Sequence, residues 1–395
     1  MSFYFDLNFS TVQIVLLALL FFLLCVELLY LYVIYNRVAS YTRAASMGKV
    51  QYADVLPSVS VVVYAHAEEG ERVLQLLPRL VAQEYPCYEV IVVNDGTTEE
   101  LQKAISLYEC DYNNVYQTFV PDKVCNVSRK KLGITLGVKA AKNDVVVITD
   151  ANCMPQGNEW LKCMARNFVP GVDVVLGYTR MAYDENEKRG YYKVFDRMLL
   201  SLRFLAFAVM KHPYMGMGSN LAYRRDSFFA NKGFSAHLNL HFGDDDLLVN
   251  EIANRKNTRI EVSPESIVES FHYDKSEAWS ELRMRYNFTS KYLRTCSKPV
   301  FAVEAVLHLL VWLAFAVALV VALPNVLLAI AAVVIMLLYW IFTWRVFLRA
   351  SRLLGERCAV GLVPLFYLVR PCYSLYYSIV GKSYNKSNFT WQYLR

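Results

Sequence analysis

The chain lacks several features that would have pointed elsewhere. None of its nine cysteines (Cys25, Cys87, Cys110, Cys125, Cys153, Cys163, Cys296, Cys358, Cys372) stands in a CxxC pair, and their number is odd and their spacing irregular. Such usage supports neither a zinc site nor a disulfide framework and suits a reducing cytosol around the soluble part. Charged residues make up only 19% of the sequence, below the roughly 25% of ordinary globular domains. The net charge of +6 is modest and not gathered into a basic patch, which argues against a nucleic-acid partner and suits proximity to anionic lipid. No GxGxxG follows the first strand pattern, which disfavours a dinucleotide-binding enzyme. No glycine-rich Arg/Lys phosphate loop is found there either, and this ranks a nucleotidyltransferase third.

Apolar residues are abundant instead. They reach 55%, with a mean hydropathy of +0.25, too apolar for an ordinary soluble enzyme of 395 residues. From about Val12 to Tyr35 the chain is almost wholly apolar, with Glu27 the one charge; this is long enough to cross a ~30 Å hydrocarbon core. The stretch has neither a basic start nor a small-residue cleavage site, so it is expected to be a retained anchor. Val303–Leu323 and Val326–Phe347, separated by Pro324-Asn325, predict a membrane hairpin. Arg37, Arg43 and Lys49 follow the first span, while Lys291, Arg294, Lys298 and Arg345, Arg349, Arg352 flank the hairpin. By the positive-inside tendency, all three flanks put the intervening domain in the cytoplasm. Ala359–Val380, interrupted by Pro364, Arg370 and Pro371, is expected to be interfacial or re-entrant. The expected division is an anchor over 1–51, a catalytic domain over 52–298, a hairpin over 299–348 and a membrane-associated segment over 349–395.

Within the domain the pattern alternates. Ser58–Tyr64 and Glu89–Asn94 predict strands; Glu71–Gln83 carries Val73, Leu74, Leu77, Leu80 and Val81 on one helical face. Ser128 predicts the cap of a helix reaching about Lys142, and the apolar run Val145–Ile148 predicts a strand buried on both faces. This order argues for an α/β, mostly parallel, doubly wound sheet. Parallel strands put their carboxyl ends on one rim, where ligands bind. Glu68, Asp95 and Asp150 are therefore expected at that rim. Asp150 and Asn152 together suit a hard divalent cation bridging to a diphosphate, although an Asx turn or helix cap accounts for the same two residues. Lys130 and Lys131 add positive charge near the rim. Gly216–Arg225 and Gly243-Asp-Asp-Asp246 complete the candidates. Three adjacent aspartates raise at least one pKa by mutual repulsion, as a general base requires; a helix dipole explains one or two of them without function.

Taken in order, these motifs resemble the family-2 inverting glycosyltransferases of the GT-A fold, the group that holds cellulose and hyaluronan synthases. The resemblance spans roughly Pro57 to Tyr286, and Ser-Arg-Lys-Lys-Leu-Gly-Ile-Thr-Leu-Gly looks like membrane-anchored members common in Bacteroidetes. It implies nucleotide contacts from Glu68, Asp95, Lys131 and Asp150, and a Mg²⁺ or Mn²⁺ held by Asp150 and Asn152. It further implies that Asp245 is the catalytic base with Asp244 assisting, and that Asn220, Arg283, Arg285 and Tyr286 lie at the acceptor and diphosphate. A nucleotide-sugar donor, favoured as UDP-linked, and a lipid-linked or glycan acceptor follow, at the inner (plasma) membrane. Asn152 replaces the second aspartate of the family's DxD, while Leu282 and Tyr286 replace the glutamine and tryptophan of QxxRW. These departures count against a processive polysaccharide synthase and keep open a degenerate, donor-binding membrane protein. The sugar pocket is expected in loops such as Tyr178–Tyr192.

Overall fold

A computed structural model describes residues 9–66, 69–124, 127–182, 191–271, 275–294, 297–322, 325–356 and 360–383. Glu68, Pro324 and residues 183–190 of the expected sugar loop lie outside this set. The apolar N-terminal run forms helix α1 (Thr11–Tyr35), started by a capping box in which Gln13 N donates to Ser10 Oγ (3.3 Å) and Ser10 N to Gln13 Oε1 (3.0 Å). A shorter helix, α2 (Arg37–Ser46), leads to the domain.

The domain opens with β1 (Val59–His66), α3 (Gly70–Val81), β2 (Tyr88–Asp95), α4 (Glu99–Asp111), β3 (Val115–Phe119), α5 (Arg129–Ala140) and β4 (Val145–Asp150). Helical crossovers return each strand in the same direction, and these four strands lie parallel in the order β3-β2-β1-β4. The α4–β3 unit is an addition to the sequence reading. Its apolar signal is sparse because β3 is an edge strand in which Val115 alone is buried. The central place expected for Val145–Ile148 is the one found: Val145 and Val147 enter the core on one face of the sheet, Val146 and Ile148 that on the other.

After β4 come β5 (Cys153–Pro155), α6 (Trp160–Ala165), β6 (Val174–Leu176), β7 (Thr179–Met181), α7 (Tyr191–Val209), β8 (Leu221–Arg224) and α8 (Arg225–Ala230). Then follow α9 (Asp246–Ile252), β9 (Thr258–Ile260), β10 (Val268–Ser270) and α10 (Lys275–Thr289). β8 pairs antiparallel with β4, and β6 and β9 complete a seven-stranded sheet, while β5, β10 and β7 form a small second sheet. The register sets Tyr64 of β1 beside Asp150 of β4, and His66 beside Asp95 of β2. Side chains from three strand ends thus meet along one rim.

The chain then forms α11 (Ser297–Ala322), α12 (Val326–Leu353) and α13 (Val363–Ser383). Among the described residues, α1, α11 and α12 are long and apolar enough to cross a membrane. Glu27 of α1 is fully buried between them, with His308 Nδ1 2.6 Å and the Tyr339 hydroxyl 2.9 Å from its Oε1. The helix α11 begins at Ser297, ahead of the expected Val303, and presents Glu304 to the domain. Arg203 of α7 donates to Glu304 at 2.6 Å, and the hydroxyls of Tyr35 and Tyr367 donate to it at 2.7 and 2.9 Å.

The prolines expected to interrupt the C-terminal stretch do not do so. Pro364 falls in the first turn of α13, where an N–H has no helical partner. Around the internal Pro371, contacts of Tyr367 with Glu304, Arg370 with Asp196 and Tyr377 with Ser280 hold the turns on either side.

Close packing of α5 on the sheet depends on Gly137, where an added Cβ would come within 2.4 Å of Val62 and 2.8 Å of Val93. Gly137→Ala overpacks this contact and is expected to lower stability by about 1–3 kcal/mol. Thermal unfolding of the detergent-solubilised chain measures it, and an unchanged midpoint would show that the helix can shift at no cost.

Candidate active site

Lys130, in the first turn of α5, points its ammonium over the carboxyl end of β4. Its Nζ lies 2.8 Å from Asp150 Oδ1 and 2.9 Å from Asp244 Oδ2. Burial opposes that charge, but the two carboxylates outweigh it and raise the lysine's pKa. One cation thereby joins the end of a central strand to a loop almost a hundred residues later. The cavity beside it, of about 390 Å³, is lined by Asp150, Asn152, Asp245, Arg285 and Tyr286 among others.

The three aspartates have separate environments. Asp244 is pinned by Lys130 and by Arg285 at 3.4 Å; although burial works against it, these cations hold its carboxyl well below the usual range. Asp245 lines the cavity. Its Oδ2 accepts from the Tyr286 hydroxyl at 2.9 Å and from Gly218 N at 3.3 Å, and its Oδ1 from Asp246 N at 2.8 Å. Burial, and then the charge of Asp244, push its pKa up. Asp246 opens α9 with its side chain buried, bonded by the Thr289 hydroxyl and by Leu247 N (2.8 Å), and burial plus Asp245 raise it to about 8. The helix α9 has only seven residues, so its dipole does not account for three carboxylates.

Other expected residues are placed differently. Lys131 is fully buried behind the cavity, its Nζ donating to the His237 carbonyl at 2.7 Å, and burial lowers it to about 8. It is therefore Lys130, one residue earlier, that lines the cavity, because its position in the first helical turn faces it. Asp95 is 3% exposed and outside the cavity lining. Tyr64 donates to its Oδ2 and Arg129 to its Oδ1 (Nε 2.8 Å), so both oxygens are engaged within the protein. Asn220 is fully buried and outside the cavity lining: its Nδ2 donates to the carbonyls of Tyr178 and Ser266 at 2.9 Å, and its Oδ1 accepts from Trp160 Nε1 at 3.1 Å. Arg283 turns away from the cavity to pair with Asp196 of α7, which also accepts from Trp279 Nε1 at 3.0 Å. Leu282 and Tyr286, the departures from QxxRW, both line the cavity.

Sequence reading missed Arg197, Tyr64 and Arg129. The first lies on α7 between Lys193 and Ser201 of its own helical face, and no local motif marks it. The other two contribute through an engagement with Asp95 that only the fold creates.

A divalent cation fits here in a limited sense. Asp150 and Asn152 line the cavity together, but among the described residues no group of three His, Cys, Asp or Glu side chains converges. Two protein oxygens leave most of the coordination to substrate phosphates and water, the usual arrangement for Mg²⁺.

The raised pKa of Asp246 makes stability depend on pH. Its folded value near 8 lies above the unfolded one, so its contribution is complete below about pH 4 and is lost as pH rises through about 8. Asp245 acts in the same direction, while Asp244, lowered, contributes only above the unfolded value. Asp246→Asn keeps a neutral group in place and is expected to flatten the decline in melting temperature between about pH 5 and 8. An unchanged slope would assign the decline to other groups.

Comparison with known proteins agrees with this architecture. No curated protein sequence matches the chain. A mannosyltransferase, PcManGT from Pyrobaculum calidifontis, solved with GDP-Man and Mn²⁺, is similar over 92% of this chain and 99% of its own, with 18% identity and a TM-score of 0.53. This likeness shows the fold. GalNAc-T7, solved with UDP, GalNAc and Mn²⁺ (14% identity, TM-score 0.42, 56% of this chain and 45% of that one), and S. aureus TarS residues 1–349 (17%, 0.41, 86% and 93%) are more distant. Residues 60–229 match the model of Glycosyl transferase family 2, and they lie on a GT-A-like, mostly parallel sheet.

Proposed function

We propose that this protein transfers a sugar from a nucleoside-diphosphate sugar to a hydroxyl of a membrane-associated lipid or glycan, in one displacement that inverts the anomeric carbon. The observation that carries the reading is the convergence of Asp150 and Asp244 on one Lys130 ammonium, with Asp245 lining the same cavity. Asp245 takes the proton of the acceptor hydroxyl as its oxygen attacks and the bond to the diphosphate breaks. Its raised pKa gives it proton affinity, and the Tyr286 hydroxyl and Gly218 N–H orient it. Asp244, held ionised by Lys130 and Arg285, sustains that pKa. Lys130 and Arg285 also offer positive charge to the leaving diphosphate. Asp150 and Asn152 would hold a Mg²⁺ or Mn²⁺, which when bound supplies further charge stabilisation to the diphosphate; the fold neighbour that carries Mn²⁺ with GDP-Man supports this assignment. Nucleotide contacts are assigned to the rim around Tyr64 and Asp150. The three apolar helices and their basic flanks support a multi-pass protein of the inner (plasma) membrane with this cavity on the cytoplasmic side.

Asp245→Asn is expected to reduce transfer by about 10²–10⁴-fold, the range of a lost general base, while nucleotide-sugar binding persists. Equal loss of both would make the carboxylate structural and sink the mechanism. Asp150→Asn is expected to weaken Mn²⁺ binding, followed by the ion's paramagnetic resonance in the presence of nucleoside diphosphate. Asn152 in the DxD position favours a second reading, a protein that binds the donor without turning it over. Transfer or hydrolysis of a nucleotide sugar by the purified wild type separates the two.

A further inference from the structure

Arg197 of α7 is 7% exposed, yet it lines the catalytic cavity. Its guanidinium makes no ion pair with any carboxylate among the described residues, and its buried Nε meets no acceptor. The other lysine and arginine side chains on this cavity have partners: Lys130 has two aspartates, Arg285 has Asp244, and Arg72 donates to the Phe271 carbonyl at 3.1 Å. A permanently charged group with idle donors, buried at a substrate cavity, is costly unless a ligand meets it. The carboxylate whose field it shares, Glu356, bonds instead with the Tyr178 hydroxyl, and burial holds it up at about 7.

Position indicates from which side the ligand arrives. Asp150 and Lys130 belong to the sheet rim, where the donor's diphosphate is assigned. Arg197 lies on α7, the helix that packs against α1, α2 and α13, the part of the fold that adjoins the membrane helices. The same cavity is lined by Met181, Trp279 and Leu282, apolar surface that a lipid-linked ligand can cover. The planar fork of an arginine matches phosphate bidentately.

We propose that Arg197 binds the phosphate of a lipid-linked acceptor, seating the acceptor so that its hydroxyl meets Asp245. This deepens the functional reading above and rests on it. The acceptor class it names is a glycan joined to a lipid through phosphate, whose phosphate stays intact while a hydroxyl farther along the glycan is the nucleophile.

The test uses the full chain in detergent, with UDP and Mn²⁺ present to occupy the donor side, titrated calorimetrically with octyl phosphate, octanol and glucuronate. The wild type is expected to bind octyl phosphate at least about tenfold more tightly than octanol, the scale of a charge-assisted hydrogen-bond pair. Arg197→Gln is expected to abolish that preference, and Arg197→Lys, which keeps the charge without the fork, to restore part of it. Equal binding of octyl phosphate and octanol by the wild type overturns the proposal without recourse to any variant, as does an undiminished preference in Arg197→Gln. Glucuronate bound in an Arg197-dependent manner, with octyl phosphate indifferent, would give the arginine to a carboxylate on the donor sugar and equally overturn it. UDP and GDP titrated into separate nucleotide-free wild-type samples with Mn²⁺ separate the two levels: absent binding of both defeats the transferase reading itself, whereas nucleotide binding without phosphate preference defeats only the acceptor assignment.

Discussion

The Lys130 ammonium between Asp150 and Asp244 is the contact on which the site depends. It draws the end of the central strand and the loop before α9 to within hydrogen-bonding distance of one nitrogen. Without that cation, carboxylates from two separate parts of the chain would face each other across a partly buried cavity, where their repulsion is weakly screened. The same arrangement sorts the aspartates. Asp244 is held well below the usual range by Lys130 and Arg285, while burial, and then the charge of Asp244, keeps the neighbouring Asp245 more basic than an ordinary carboxylate. A carboxylate of raised pKa and a cation-rich cavity wall thus lie side by side.

A second set of buried charges ties this domain to the apolar helices. Arg203 on α7 meets Glu304 on α11, and Asp196 on the same α7 receives Arg283 of α10 and Arg370 of α13. Buried pairs of this kind contribute little net stability compared with apolar packing, but removing one partner is severe, so they specify a relative placement. The helix α7 accordingly serves two structures at once. One side anchors the domain to the apolar helices, and Arg197 of the same helix lines the cavity beside Lys130.

Much of the framework was legible because it rests on local pattern. The run Val145–Ile148 announced a strand buried on both faces, and the apolar stretches announced α1, α11 and α12. The fold is recovered wherever side-chain periodicity alone decides an element. It was not recovered at β3, whose edge position needs few apolar residues, nor at α13, where tertiary contacts keep a helix running through Pro371.

By itself, the sequence determined the α/β order, the apolar helices and the set of acidic loops, since each follows from residue type and spacing within a short window. Only the tertiary structure decided which member of a motif faces the cavity. It turned Lys130 inward and buried Lys131, gave Asp95 to Tyr64 and Arg129, made Asn220 a core tie, and left Arg197 with idle donors. The reason is geometric: neighbours in a helical turn point about 100° apart, so a motif names a turn of chain, while packing against distant segments selects the side chain that reaches the ligand.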